Sequence, residues 1–183
     1  MDTDADTRAR ADPEPPPMFD MIELFYFAYR DFVGDADRLL EAYGFGRAHH
    51  RVLHFVARHP GLTIAELLDI LAITKQSLNR VLKELIAQDF IEARAGAEDR
   101  RQRRLFATRK GDDLALRLAR AQTRRFAAAM RALGGAARGE AAAFLLEMID
   151  REARERVLAL ISAASPDAAA AAPRGAAASP DAA

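Results

Sequence analysis

A single proline, Pro60, stands between residues 18 and 165, and the other seven of the chain's eight lie outside that stretch. Proline lacks an amide hydrogen and its ring clashes with the preceding helical turn, so the interior is free to run as helix while the ends are not. Pro13, Pro15, Pro16 and Pro17 close a leader, and Pro166, Pro173 and Pro180 punctuate a tail in which 12 of the last 21 residues are Ala. Neither end shows apolar periodicity, and a segment without it cannot offset its ordering entropy by burial. Residues 1–17 and 164–183 are therefore expected to be disordered, with the folded body between them.

In that body the apolar residues recur at helical spacing. Phe19, Ile22, Phe25, Tyr26, Tyr29 and Phe32, then Leu39 and Leu40, predict a helix over 18–42, with Gly34 as a candidate break and Gly44 as a stop. Six of the 13 aromatic residues fall between Phe19 and Phe32, more than one small core absorbs. A second helix covers 46–58, with Val52, Leu53, Phe55 and Val56 inward, and ends at His59-Pro60-Gly61. Thr63-Ile64-Ala65-Glu66 reads as a capping box opening a short helix over about 63–71, because the Thr hydroxyl can accept from the third backbone N–H while the Glu reaches back. Thr74 caps a fourth helix to about Asp89, with Leu78, Val81, Leu82 and Leu85 as its inward stripe. Phe90–Arg94 and Arg103–Ala107 read as the strands of a hairpin around Gly96. Thr108 opens a long helix through Leu133, Gly134-Gly135 breaks it, and one last helix is expected from Arg138 to Ile161.

The formal net charge is zero, from 27 Lys and Arg against 27 Asp and Glu, but the charges are not evenly spread. Residues 1–23 carry two Arg against seven acids, whereas residues 75–125 carry 14 Lys or Arg against seven acids, a net of +7. A polyanionic partner responds to that local excess rather than to the total. The complete absence of Cys excludes disulfides, Cys-ligated zinc, Fe–S clusters, thiol nucleophiles and thiol redox switches. No run of 18 or more apolar residues occurs, and MDTDADTRAR has no apolar signal region, which predicts a soluble, cytoplasmic protein with no membrane partner.

A short helix, a tight connection, a helix with a polar cationic face and a basic hairpin follow one another in the order of a winged helix-turn-helix. On the fourth helix Gln76, Asn79, Arg80 and Lys83 lie nearly opposite the apolar stripe, and none of them is acidic. Gln and Asn can pair bidentately with adenine and Arg with guanine, so this face suits a major groove. Thr74, Lys75 and Ser77 complete the candidate set, Lys75 and Lys83 being suited to phosphates. At the hairpin tip Asp99, Arg100, Arg101 and Arg103 are the candidates for a minor groove, whose negative potential attracts guanidinium groups, and an Asp two residues before an Arg can fix its direction.

These segments resemble the MarR family of winged-helix transcription regulators. PGLTIAELLDIL resembles the first helix of that family's helix-turn-helix and TKQSLNRVLKELIAQDFI its recognition helix. The run from Glu98-Asp99-Arg100-Arg101 through Leu105-Phe106-Ala107-Thr108-Arg109-Lys110-Gly111 resembles its wing and the LTxxG turn after it, with Ala107 in place of Leu. FYFAYRDFVGDADRLLEAYGFGRAHHRVLHFV is similar to the PetP-type branch. The resemblance covers residues 18–162. It implies that Asp99 and Arg101 form a wing pair with Arg101 in the minor groove, that the first and last helices dimerise, and that an effector pocket lies between the second helix and the dimer helices. Tyr26, Tyr29, Arg30, His50 and His54 are the candidates to line that pocket.

All four His fall within eleven residues, and His50 and His54 have an i, i+4 metal-ligand spacing, but no third ligand is identifiable, so no metal is assigned. No cofactor is expected. Ser77 is the only Ser before residue 162, and no P-loop, GxGxxG or HExxH occurs, so an enzyme is not expected. A non-specific architectural DNA-binding or protein-interaction helical module is the alternative. The sequence thus predicts a mainly α protein with a small β-hairpin wing, a winged helix-turn-helix over 46–111 flanked by dimerisation helices over 18–45 and 112–163. It would act as a homodimeric regulator, a repressor, on double-stranded DNA, responsive to a small-molecule effector.

Overall fold

The computed structural model describes residues 15–96 and 102–164. The expected disorder of most of the leader and tail, and the wing-tip candidates Asp99, Arg100 and Arg101, lie outside these residues. Residues 15–18 carry no regular structure ahead of the first helix. Helix α1 (Phe19–Leu40) leads through a single 3-10 turn (Glu41–Tyr43) to α2 (Arg47–Arg58). After the Pro60 turn come β1 (Leu62–Thr63), α3 (Ile64–Leu71) and α4 (Lys75–Ala87), then the hairpin β2 (Ile91–Ala95) and β3 (Arg103–Ala107). Three helices close the described chain: α5 (Arg109–Leu133), α6 (Ala137–Glu147) and α7 (Arg151–Ala163).

Gly34 does not break α1. The helix continues because its inner face, Val33, Ala36 and Leu40, stays buried on both sides of the glycine. The last predicted helix is two, α6 and α7, with the chain turning over Met148–Asp150. Arg154 makes that break affordable: its guanidinium donates to the carbonyl oxygens of Glu147 at 2.6 Å and Ile149 at 2.9 Å, satisfying acceptors that a continuous helix would have used.

The hairpin carries a third strand. β1 pairs antiparallel with β3, Leu62 opposite Leu105 and Thr63 opposite Arg104, giving a sheet of order β1-β3-β2. The predicted capping box forms: Thr63 Oγ1 accepts from the Glu66 amide at 3.2 Å while Glu66 Oε2 accepts from the Thr63 amide at 2.7 Å. The core lies where α2, α3, α4 and the sheet meet α5. Val52, Leu53, Leu67, Leu78, Leu85, Phe90 and Leu105 are buried to within 1% of full closure there.

Candidate nucleic-acid interface

Thr74 sets where α4 begins: its hydroxyl oxygen accepts from the Ser77 amide at 3.2 Å. From that start the apolar stripe Leu78, Val81, Leu82 and Leu85 turns into the core. Thr74, Lys75, Gln76, Ser77, Asn79, Arg80 and Lys83 are consequently all exposed. Among the described residues, no side-chain hydrogen bond or ion pair engages Lys75, Gln76, Asn79, Arg80 or Lys83, so the donors of this face are open to an incoming ligand.

The other end of α4 is fastened to the start of α5. Lys110 Nζ donates to the Gln88 carbonyl at 2.8 Å, Thr108 Oγ1 to that of Asp89 at 2.7 Å, and the Thr108 amide to that of Phe90 at 3.1 Å. Three consecutive carbonyls just past the end of α4 are thus satisfied by one turn. Lys110 also lies over the Phe90 ring, 4.3 Å from its centroid.

The base of the wing flanks α4. Arg103 is exposed at the start of β3 and pairs in register with Ala95. Together with Gln102, Lys75 and the start of α3 it borders a groove of about 400 Å³. Two other wing arginines are used within the protein. Arg104 Nη1 donates to the Gly61 carbonyl at 3.2 Å, and Arg94 pairs with Glu92 and lies over the Phe106 ring at 4.5 Å. Gly61 has φ +90° and Phe106 3.6 Å from where a Cβ would stand, so both its backbone and its surroundings favour glycine.

The candidate pocket residues fall into two groups. His50 is buried and His54 half-buried on α2, with ring centroids 6.5 Å apart. Tyr26, Tyr29 and Arg30 are exposed on α1, where Arg30 pairs with Asp31 at 2.9 Å and covers the Phe27 ring. His54 lines a cavity of about 280 Å³ with Phe55, Arg58, His59, Leu160 and Ile161, and none of the three α1 residues is part of its wall. Among the described residues, no cluster of three or more His, Asp or Glu side chains is placed to hold a metal ion.

Burial lowers the pKa of His50 against the opposing pull of Asp37, and it lowers that of His54 together with the nearby His50, Arg58 and His59. His59 is lowered in the same way, by burial and then Arg58. The unfolded chain therefore binds protons that the folded chain refuses. Stability is expected to be fully present well above the ordinary imidazole value of about 6.5, and to fall as the pH drops through that value toward the depressed folded ones. Thermal melts between pH 7.5 and 5 check this, and an unchanged midpoint in a triple His50→Gln, His54→Gln, His59→Gln chain would show that these groups carry the slope.

Two tertiary contacts of this region carry no motif of their own, that of His49 of α2 with α4 and that of Arg104 with the Gly61 carbonyl. His49 reaches Glu84 of α4 at 2.8 Å. Only the packing of α2 on α4 makes that pair visible.

The MarR family model matches residues 43–102, from the 3-10 turn to the base of β3. The chain is 50% identical over 113 residues to the HTH-type transcriptional regulator PetP of Rhodobacter capsulatus, a match covering 62% of this chain and 68% of that protein. It is 32% identical over 90 residues to the HTH-type transcriptional regulator SAV2265 of Staphylococcus aureus, covering 49% of this chain and 62% of that protein. The crystal structure of MarR superposes with a TM-score of 0.60 at 22% identity, covering 81% of this chain and 98% of MarR, and so shares its winged-helix fold. The sequence match and the fold agree: this chain belongs to the MarR family of transcriptional regulators, a DNA-binding and non-enzymatic class.

Proposed function

We propose that the protein is a homodimeric, sequence-specific regulator that reads a pseudo-palindromic operator in the cytoplasm, with residues 46–111 as its reading domain. The observation that carries this is the face of α4, on which Lys75, Gln76, Asn79, Arg80 and Lys83 are all exposed and uncommitted beside the wing. In this reading α4 enters the major groove, where Gln76, Asn79 and Arg80 meet base edges and Thr74, Lys75, Ser77 and Lys83 meet phosphates. The wing turns Arg100, Arg101 and Arg103 toward the adjacent minor groove, Asp99 directing Arg101.

The dimer is supported by apolar surface that one chain leaves uncovered, on the first half of α1, the end of α5, and α6 and α7, over residues 18–45 and 112–163. Two reading helices would then sit about one DNA turn apart, roughly 34 Å. A bound dimer blocks polymerase by occupancy, which favours repression. An effector would act at the α2 junction near His50 and His54, with Tyr26, Tyr29 and Arg30 approaching in the assembled dimer.

Selection from a random duplex pool tests the reading. The enriched duplex is expected to bind ~10³-fold or more above random DNA at physiological salt. Gln76→Ala and Arg80→Ala should each lose about 1–3 kcal/mol of discrimination at individual base pairs, measured on single-substitution duplexes. Equal binding to all sequences, or uniform loss from both variants, would point to an architectural protein instead.

A further inference from the structure

Glu84 is the one acidic residue in α4, KQSLNRVLKELIA. It follows Lys83 directly and stands one turn beyond Arg80, so its carboxylate borders the face that meets phosphates. An acid left there would repel the DNA backbone and draw either cation toward itself. In the structure it is engaged elsewhere, because Glu84 Oε2 accepts from His49 Nε2 at 2.8 Å.

His49 is fixed in that orientation from two sides. Its Nδ1 accepts from the Gly46 amide at 3.2 Å, which leaves the ring proton on Nε2, aimed at the carboxylate. The Phe45 ring stacks on the imidazole with centroids 4.6 Å apart and planes 11° apart. Phe45 in turn packs edge-on against the buried Phe90 at 5.1 Å. The His49 side chain is 12% exposed and that of Glu84 46%, so a locked donor inside holds an exposed acceptor at the rim.

The geometry points to His49 as a positioning residue for DNA binding, one that holds the recognition helix's only carboxylate against α2 and leaves Arg80 and Lys83 uncompensated for DNA. This rests on the assignment of α4 as the DNA-reading helix. His49 itself touches no DNA in this arrangement, and it acts through Glu84.

The test is a double-variant cycle on the full-length chain, using the duplex that the wild type enriches from a random pool and titrating across ionic strength. His49→Ala is expected to weaken binding by roughly three- to tenfold at low salt, the loss shrinking as salt rises. Adding Glu84→Gln should restore binding to within about twofold of wild type, because the acid that His49 restrained is gone. His49→Phe keeps the stack on Phe45 without the donor, so it runs the same cycle should the alanine variant fold poorly. His49→Gln, which keeps an N–H donor near the Nε2 position, should bind like wild type. A loss that persists in the Glu84→Gln background, or no loss in either donor-free variant, overturns the proposal. A wild type that enriches no duplex overturns the reading of α4 beneath it, and that result is distinguishable because it precedes every variant.

Discussion

A Gly111→Ala chain is expected to lose about 3 kcal/mol of folding stability, lowering the melting midpoint by roughly 6–12 °C. A Cβ at position 111 would stand 2.0 Å from the Phe90 carbonyl oxygen, 3.0 Å from its carbon and 3.4 Å from the Ala107 Cβ. The first two are backbone atoms and cannot swing aside. That carbonyl is also the acceptor for the Thr108 amide, so moving it breaks the fastening between α4 and α5. The glycine of the TRKG turn is thus required by close approach of two backbones, not by an unusual φ. Gly139 of α6 is the internal control, since nothing lies within 4 Å of a Cβ there and Ala is the better helix former. Gly139→Ala should be neutral or slightly stabilising, and equal losses at both positions in thermal or urea melts would contradict the steric account. Because α4 is seated on this contact, Gly111→Ala should also weaken DNA binding in chains that remain folded.

The second large effect is expected at the outer face of α1. Phe19, Ile22, Leu24, Phe25, Tyr26 and Tyr29 are each between 49% and 69% exposed, and Phe126, Leu133, Phe144 and Ile161 add apolar surface from α5, α6 and α7. Charging two neighbouring positions, Ile22→Glu with Phe25→Glu, places carboxylates three residues apart on one stripe of the helix. Such a chain should sediment as a monomer at micromolar concentration where the wild type sediments as a dimer. Operator affinity should fall by about 10²–10³-fold, because the second half-site no longer binds as an intramolecular event. The melting transition should survive, since neither side chain belongs to the buried core. A wild-type monomer in the same centrifugation run would remove the assembly from the proposal.

The winged helix-turn-helix is largely legible because its cues are local. Thr63 with Glu66, Thr74 with Ser77, and Thr108 with Gly111 are capping contacts within three residues, so the starts of α3, α4 and α5 are readable from the local sequence alone. The exposed stripe of α4 follows from the buried one by helical period. What escaped was set by contacts distant in sequence. β1 is two residues long, too short for any alternation, and exists because Leu105 and Arg104 offer it partners. The break before α7 has neither Gly nor Pro, and Leu145, Ile149, Val157 and Ile161 keep a helical spacing across it. Only the Arg154 contacts reveal it. Gly34 looked like a break because a lone glycine weakens a helix, yet packing of Val33, Ala36 and Leu40 outweighs about 1 kcal/mol of propensity. Among the wing arginines, composition could not tell Arg104, spent on the Gly61 carbonyl, from Arg103, which is exposed.

The fastening of α5 to the last carbonyls of α4 has a geometric consequence for the proposed dimer. α5 has 25 residues, about 37 Å of helix, with α4 seated at one end and Phe126 and Leu133 exposed toward the other. In the proposed dimer it would act as a lever whose fulcrum is the subunit contact: a tilt of about 5° there would carry the α4 end through roughly 3 Å, comparable to one base-pair step. The distance between operator half-sites is then written in the length and pitch of α5, and the identity of their bases in the side chains of α4. Lineages could alter spacing and sequence preference independently, and a change of spacing would appear as substitutions far from any residue that touches DNA.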